Sequence, residues 1–382
     1  MEGKDGILKG WESLIPNSEF RNGRMEGWKD GRQFRTFSPF IKGGWGDLWF
    51  FACLLLIATS NVWGDNYTGD FLTVGVGARS MGLGGAYVGI SNDVTATYWN
   101  PAGLGLIQGV QICLMHGAKS SGLGNYNYVG VAHRFQEHFS VGASWIRYGV
   151  DDIPLYDPLD INIQPQDRKN VAKFRPSFEP KGSLSDSENA YIISMATQYT
   201  IRQAWWDNMG TMGEPPTFLF GINIKRIRHS LLGFTADGIG VDAGFLARIT
   251  DSAAIVGHEG LGELSFGLAL VDISGTTMRW NTESQREEAI PTNVRFGFAY
   301  SNDIPAINGG IVLSYEYDRR YNGQNNVGLE YQFGRGIAFR IGFRDGDFAA
   351  GAGFKIDRYN IDYAFLNYDL ASTHRVSILG NF

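Results

Sequence analysis

From Ile107 to the C-terminus the chain repeats one pattern, an apolar residue at every second position. Few folds accept that pattern over such a length. Ile239, Val241, Ala243, Phe245, Ala247 and Ile249 alternate with Gly240, Asp242, Gly244, Leu246, Arg248 and Thr250. Val294, Phe296, Phe298 and Tyr300 alternate with Asn293, Arg295, Gly297 and Ala299. The runs Val327–Phe333 and Ile337–Phe343 repeat the pattern, with Glu330, Arg340 and Arg344 on the polar side. Two is the side-chain period of a β-strand. A soluble sandwich also alternates, but it turns the apolar face inward onto a second sheet. Here long strands follow one another directly, with aromatics such as Tyr300, Tyr315, Tyr317, Phe333 and Tyr363 near their ends. That arrangement supplies the aromatic girdles of a membrane barrel. The mean hydropathy of −0.16 argues against a helical membrane protein. It suits a barrel, which shows lipid only every second residue.

The strand count is about fourteen, centred near residues 112, 130, 143, 195, 222, 243, 267, 297, 314, 329, 340, 351, 363 and 377. An even number brings both ends of the sheet to the periplasmic side. The tight turns Gln136-Glu137, Gly334-Arg335 and Asp357-Arg358 then face the periplasm, and the long loops 150–188 and 275–291 face outward. One stretch breaks the rule: 201–215, with Trp205-Trp206, is long yet falls on the periplasmic side. Either it is an unusual feature or a strand is miscounted there. The segment 150–188 holds Pro154, Pro158, Pro165, Pro176 and Pro180 and reads as a large surface loop. The last strand, with Val376, Ile378, Gly380 and Phe382 on one face, ends in an aromatic. It resembles the assembly signal of bacterial outer-membrane barrels.

Residues 1–47 are polar and lack periodicity. The apolar run Leu48–Ala58 is too short to span a bilayer as a helix, which needs ~20 residues. It has the length of a signal-peptide core, with Lys42 upstream. Val62-Trp63-Gly64 fits a cleavage site, so Asp65 begins the mature chain; a cut after Ser60 is the other choice. The long stretch before Lys42 also fits a true start codon further downstream, and a buried core helix is the alternative to a signal. The expected organisation is a removable extension over 1–64, a plug over 65–106 and a barrel over 107–382. The fold class is all-β, a transmembrane antiparallel barrel with an N-terminal Gly-rich plug.

The plug segment contains Gly77-Ala78-Arg79-Ser80-Met81-Gly82-Leu83-Gly84-Gly85-Ala86-Tyr87-Val88, then Asn92-Asp93, then Tyr98-Trp99-Asn100-Pro101-Ala102-Gly103-Leu104. It is too rich in glycine for a strong helix, and its small side chains let its backbone approach neighbouring walls. It lacks the last glycine and the strand–helix context of a dinucleotide fingerprint. Taken together, these residues resemble the N-terminal motif of the PorV/PorQ family of FadL-like outer-membrane proteins. The general likeness runs from about Asp65 to Phe382, while the sharp motifs, Gly77, Arg79, Gly82, Gly84, Gly85 and Asn100-Pro101-Ala102-Gly103, lie in the first part. The resemblance implies a part in type IX secretion. The protein would receive exported proteins by their C-terminal domains and pass them to the surface attachment machinery.

No catalytic or metal motif is present, and none of His116, His133, His138, His229, His258 and His374 has ligand spacing. The chemistry implies no cofactor and no enzyme. A net charge of −6 leaves no footprint for nucleic acid. Of two cysteines, Cys53 lies in the signal segment and Cys113 reads as a small wall residue. What stands out is the polar face: Lys225, Asp242, Arg248, Arg295, Glu316, Glu330, Arg340, Arg344, Lys355 and Asp362. Charges facing lipid at mid-depth cost about 2–4 kcal/mol, so these point into the lumen. Their mixed signs fit paired networks that hold a plug, or else a plain solvated wall. Arg79 is a candidate partner for Glu316 or Glu330.

Three functions are compatible with such a barrel in the lipid of an outer membrane. The first is the secretion role, with the outer loops 150–188 and 275–291 as the surface a partner reaches. The second is a FadL-like channel for hydrophobic small molecules, in which Met81, Leu83 and Tyr87 line a pocket; the mixed lumen charges suit this less well. The third is a structural or anchoring barrel.

Overall fold

The computed structural model describes residues 68–119, 124–135, 138–156, 162–170, 179–207, 214–250, 262–320, 323–334, 336–367 and 372–382. The signal-peptide reading of 1–64 and the Gln136-Glu137 turn lie outside them. Among the described residues, sixteen strands form one antiparallel sheet. They are β1 Val110–Lys119, β2 Asn125–Phe135, β3 Phe139–Leu155, β4 Gly182–Thr200, β5 Thr217–Leu231, β6 Phe234–Ile249, β7 Glu263–Val271, β8 Thr276–Trp280, β9 Glu287–Ile290, β10 Asn293–Ile304, β11 Gly309–Asp318, β12 Gln324–Phe333, β13 Ile337–Arg344, β14 Asp347–Ile356, β15 Tyr359–Asn367 and β16 Ser372–Asn381. All but β8 and β9 make a closed wall of 14 strands. Closure runs through β1 and β16, from Gln111↔Asn381 to Lys119↔Thr373. Val110 and Phe382 exchange backbone hydrogen bonds of 2.8 Å, which seals the last open edge.

The wall wears its apolar residues outward. Ile193 (61% exposed), Ile224 (58%), Ile239 (71%), Phe298 (52%) and Phe339 (54%) face away from the lumen. Their partners on the other face, such as Glu316, Glu330 and Arg375, are fully buried. An apolar outside around a partly charged inside is the pattern of a barrel in lipid. Two-residue turns join Leu231 to Phe234, Arg344 to Asp347 and Ile356 to Tyr359. In the second of these, Asp345 and Gly346 both take positive φ, as tight hairpins with the sheet's twist require.

Two expectations need correction. The loop after β3 is shorter than its prolines imply: β3 and β4 stay paired to Leu155↔Gly182, and Pro154 pairs with Ser183. A register shift between Val150 and Ile153, with Asp152 at φ 57°, re-aims the strand before the proline. The segment 275–291 is no open loop either. It folds into the hairpin β8–β9, which leans on β6 at Ala236↔Trp280 and buries Thr276, Met278 and Ile290. Of the stretch 201–215, the described residues 201–207 and 214–215 lie between β4 and β5, at the end of the barrel that also holds the turn joining Ile356 to Tyr359, and carry a helical turn, Gln203–Asp207. The strand count needs no change there.

Candidate functional site

The chain enters the lumen near the outer mouth. Thr68 donates to Glu288 of β9 at 2.5 Å. Arg344 then holds the Thr73 carbonyl at 2.7 Å, and Arg375 holds those of Val74 (2.7 Å) and Gly75. From there the segment circles the inside of the wall, touching the strands in descending order. Gly82 lies against Gly351 of β14 and Leu83-Gly84 against Gly342 and Gly328 of β13 and β12. Val88-Gly89 sits on Gly297 and Gly267 of β10 and β7, and Asn100-Pro101-Ala102 on Gly244 and Gly221 of β6 and β5. Leu104 and Thr97 reach Gly142 of β3. From β14 to β5 each strand in this series offers a glycine where the plug's main chain crowds a Cβ, while at Gly142 of β3 the neighbours are the Thr97 and Leu104 side chains. A Cβ on Gly328 would stand 2.7 Å from the Leu83 carbonyl oxygen, and one on Gly267 2.7 Å from the Val88 carbonyl carbon. The fit is mutual at Gly84: its φ is +66°, and a Cβ there would meet the Phe343 nitrogen at 2.7 Å.

Side chains fasten what the glycines admit. Glu330 takes Arg79 in a two-pronged pair, Nε to Oε2 and Nη2 to Oε1, both 3.0 Å. Arg340 adds its Nε at 2.5 Å and reaches Asp362 at 2.7 Å. Arg79 also donates to Asn92 (2.8 Å) and to the Tyr87 hydroxyl (3.2 Å), which in turn donates to Asp93 at 2.7 Å. Glu316 does not meet Arg79. Its Oε2 accepts the Tyr87 and Val88 amides at 2.9 and 2.8 Å. Asn100 bridges plug and wall, donating to Val88 (3.1 Å) and to Phe245 of β6 (3.0 Å). Its Oδ1 accepts the Ala102 amide at 3.2 Å and caps the short helix that Pro101 opens. Ala102 and Gly103 are buried within that helix, and Gly77 and Gly85 turn the plug backbone at φ 86° and 82°.

The remaining charges lie elsewhere in the wall. Lys225 pairs with Asp242 at 2.7 Å and Asp272 at 3.0 Å, where β7 gives way to the outer hairpin. Arg295 pairs with Asp318 at 2.9 Å and lies over the rings of Tyr98 and Trp99. Arg248 pairs with Glu263 towards the periplasmic rim. Lys355 lines a polar cavity of about 770 Å³ there, together with Arg79, Asp93, Arg340 and Asp362. A second cavity of about 650 Å³, also on the periplasmic side, shares Arg79, Asn92, Asp303 and Gln332 with it. Sequence reasoning missed Arg375, which is 0% exposed, although it alternates with outward Val376 and Ile378. It also missed Gln111, which accepts the Val94 amide at 3.0 Å.

The outer half of the lumen is different. Tyr126, Tyr128, Ile146, Ile192 and Ile227 point inward from β2 to β5 and form one buried cluster with Phe71, Leu72 and Val76 of the plug. Met278 and Ile290 of the outer hairpin join it, and Trp280 packs against its edge. Met81, Leu83 and Tyr87 are fully buried in this same cluster, and they line neither cavity. Among the described residues, no group of three or more His, Cys, Asp or Glu is placed to hold a metal.

No protein-family model matches the chain, and no curated protein matches it. Solved structures similar to it include a deletion mutant of the monoaromatic hydrocarbon channel TodX, at TM-score 0.46 and 10% identity over 81% of this chain and 99% of that one. Another is the Ralstonia pickettii toluene transporter TbuX, at 0.46 and 11% over 81% and 98%. A third is the KdgM porin, at 0.31 and 9% over 71% and 99%.

Proposed function

We propose that this barrel admits small apolar molecules from the outer side of the outer membrane. The chemistry of the outer half-lumen carries the reading. A water-filled barrel is polar inside. Here Ile146, Ile192, Ile227 and two tyrosines face inward over a quarter of the wall and are roofed by Met278 and Ile290. An apolar ligand gains about 25 cal/mol per Å² of surface it hides, and it needs few polar contacts. Met278, unbranched and flexible, is the roof residue best able to give way. The test is to purify the barrel from its native membrane and identify bound molecules by mass spectrometry. Wild type should carry apolar small molecules, and Ile227→Asn should retain about tenfold less while still migrating as a folded barrel. Equal retention by the two would overturn the reading.

One observation favours the secretion role that the PorV/PorQ resemblance implies. Strands β3 and β4 are 17 and 19 residues long, where a bilayer needs about 9–11. Their outer ends therefore rise as a ribbon clear of the membrane, where the C-terminal domain of an exported protein or the surface attachment machinery reaches them. Deleting and complementing the gene decides this. Loss of proteins with a shared C-terminal domain from the surface, and their build-up in the periplasm, selects secretion; an unchanged secretome removes it.

A further inference from the structure

The lipid-facing wall is almost free of charge, and the exceptions are gathered in one place. Strand alternation puts no Asp, Glu, Lys or Arg at an outward position of β1, β2, β7 or β10–β16. Below the β3 bulge, the outward charges of the 14 wall strands among the described residues are Arg147 on β3, Arg226 and Arg228 on β5, and Asp237 on β6, and beside Asp237 the outer hairpin adds the exposed pair Arg279–Glu287. The wall charges fall on two consecutive rungs of four adjacent strands. The upper rung is Arg147↔Asn189↔Arg228↔Asp237; the lower is Trp145↔Tyr191↔Arg226↔Ile239. Beneath them come Ile193, Ile224 and Val241, all exposed to lipid. The arginines therefore stand just above the apolar band, on the outer side, over a pair of girdle aromatics.

Arg147 and Arg228 form no ion pair or side-chain hydrogen bond with any described residue. Arg226 spends both Nε (3.0 Å) and Nη2 (2.7 Å) on one oxygen of Asp237. On the wall itself three guanidiniums thus face a single carboxylate, and the neighbouring Arg279 and Glu287 of the hairpin neutralise each other at 2.6 Å. Between the two unpaired arginines, Asn189 accepts from the Trp145 indole at 3.1 Å and donates to Ser187 at 3.1 Å, so it neutralises neither. Register partners on strands two apart lie about 10 Å from each other, close enough for both forks to converge on one tetrahedral anion. A charge at this depth costs ~0–1 kcal/mol, so the site is tolerated by the membrane without being required by the fold.

We infer that this patch binds the phosphate of a phosphorylated glycolipid in the outer leaflet, lipid A being the form with that chemistry. The guanidiniums grip the phosphate while Trp145, Tyr191, Ile193 and Ile224 flank the sugar and acyl chains. The site lies on the outside of the wall and does not depend on what passes through the lumen. The test uses full-length barrel in detergent and native mass spectrometry. Wild type, R147Q/R228Q and R147K/R228K are each offered bisphosphorylated lipid A, phosphate-free lipid A and inorganic phosphate. Wild type should retain bisphosphorylated lipid A, with retention falling about tenfold per arginine lost and partly restored by lysine. Phosphate-free lipid A should be retained no better by wild type than by the glutamine variant. Outward substitutions leave the lumen packing untouched, and heat-modifiable migration checks that each variant is folded. Equal retention by wild type and R147Q/R228Q overturns the inference, as does displacement of the lipid by millimolar inorganic phosphate.

Discussion

Replacing Glu330 by Gln should loosen the plug and leave the wall intact. The Glu330 carboxylate, 0% exposed, receives Arg79 twice at 3.0 Å, Arg340 at 2.5 Å and Gln332 at 2.7 Å. Glutamine keeps the size but brings an NH₂ group against a guanidinium and removes the charge that neutralises two cations. Arg340 keeps Asp362 at 2.7 Å, so the loss falls mainly on Arg79. Breaking a buried pair from one side costs about 3–5 kcal/mol. The Arg79 side chain is 21% exposed and retains Asn92, which places the cost near the lower end, about 3 kcal/mol. If plug opening is local, that is roughly a hundredfold rise in its opening equilibrium. Hydrogen exchange read by mass spectrometry should show faster exchange in peptides spanning 78–93, with β12 and β13 unchanged. Adding Arg79→Met to Glu330→Gln should recover part of the loss, because the stranded cation is gone. Exchange in 78–93 identical to wild type, or wall strands that open together with the plug, would refute a plug held by this latch.

Other perturbations test other parts. Gly342→Ala puts a Cβ into the Leu83-Gly84 main chain, so it should lower the unfolding temperature by an amount equivalent to ~1–3 kcal/mol, measured by heat-modifiable migration. Gly346→Ala, which meets nothing within 4 Å but has φ +97°, should cost only backbone strain, of order 1–3 kcal/mol. Deleting Phe382 removes both backbone bonds to Val110 and the ring that covers Gly380, so barrel yield in the outer membrane should fall while the residual barrel stays closed from Gln111 onward. In a Cys113→Ser background, a disulfide between Ala78→Cys and Ser377→Cys, whose backbone N and hydroxyl lie 3.2 Å apart, should leave uptake of apolar molecules intact; uptake lost and then restored by reductant would mean that the plug must leave.

The wall is legible in the sequence because lipid enforces one rule at outward positions within the apolar band, and Val327, Leu329 and Tyr331 or Ile337, Phe339 and Ile341 obey it. The apolar half-lumen is not legible, since it breaks the complementary rule. Ile192 and Ile193 are adjacent and both apolar, and on β2 the inward residues are Tyr126 and Tyr128 while Asn125 and Asn127 face out. Alternation assigns a face but not a depth. Glu316 and Glu330 sit inward on neighbouring strands, and only the plug's path decides that Arg79 meets one while the Tyr87 and Val88 amides meet the other. The hairpin β8–β9 escapes notice because strands of 5 and 4 residues carry too little pattern.

The plug is better described as a belt than as a cork. A cork touches its seat at one level and can be withdrawn along the axis. This segment's backbone is keyed to glycines on β5, β6, β7, β10, β12, β13 and β14, so moving it along the axis drives backbone into backbone around half of the circumference. It is fastened in separate sectors: Arg344 and Arg375 hold its entry, Glu330 holds Arg79, and Glu316 holds the Tyr87 and Val88 amides. Charge-assisted bonds contribute about 1.5–3 kcal/mol each, so three such sectors together approach the ~5–15 kcal/mol that stabilises a whole domain. Expelling the belt would therefore cost about as much as unfolding a protein. Under the channel reading, passage must come from repacking the apolar side chains of the outer half while the belt stays seated. Under the secretion reading, the barrel is a closed post and its work is done by the ribbon of β3 and β4. In both, the glycines and charges at 77–104 serve first to seat the belt on the wall.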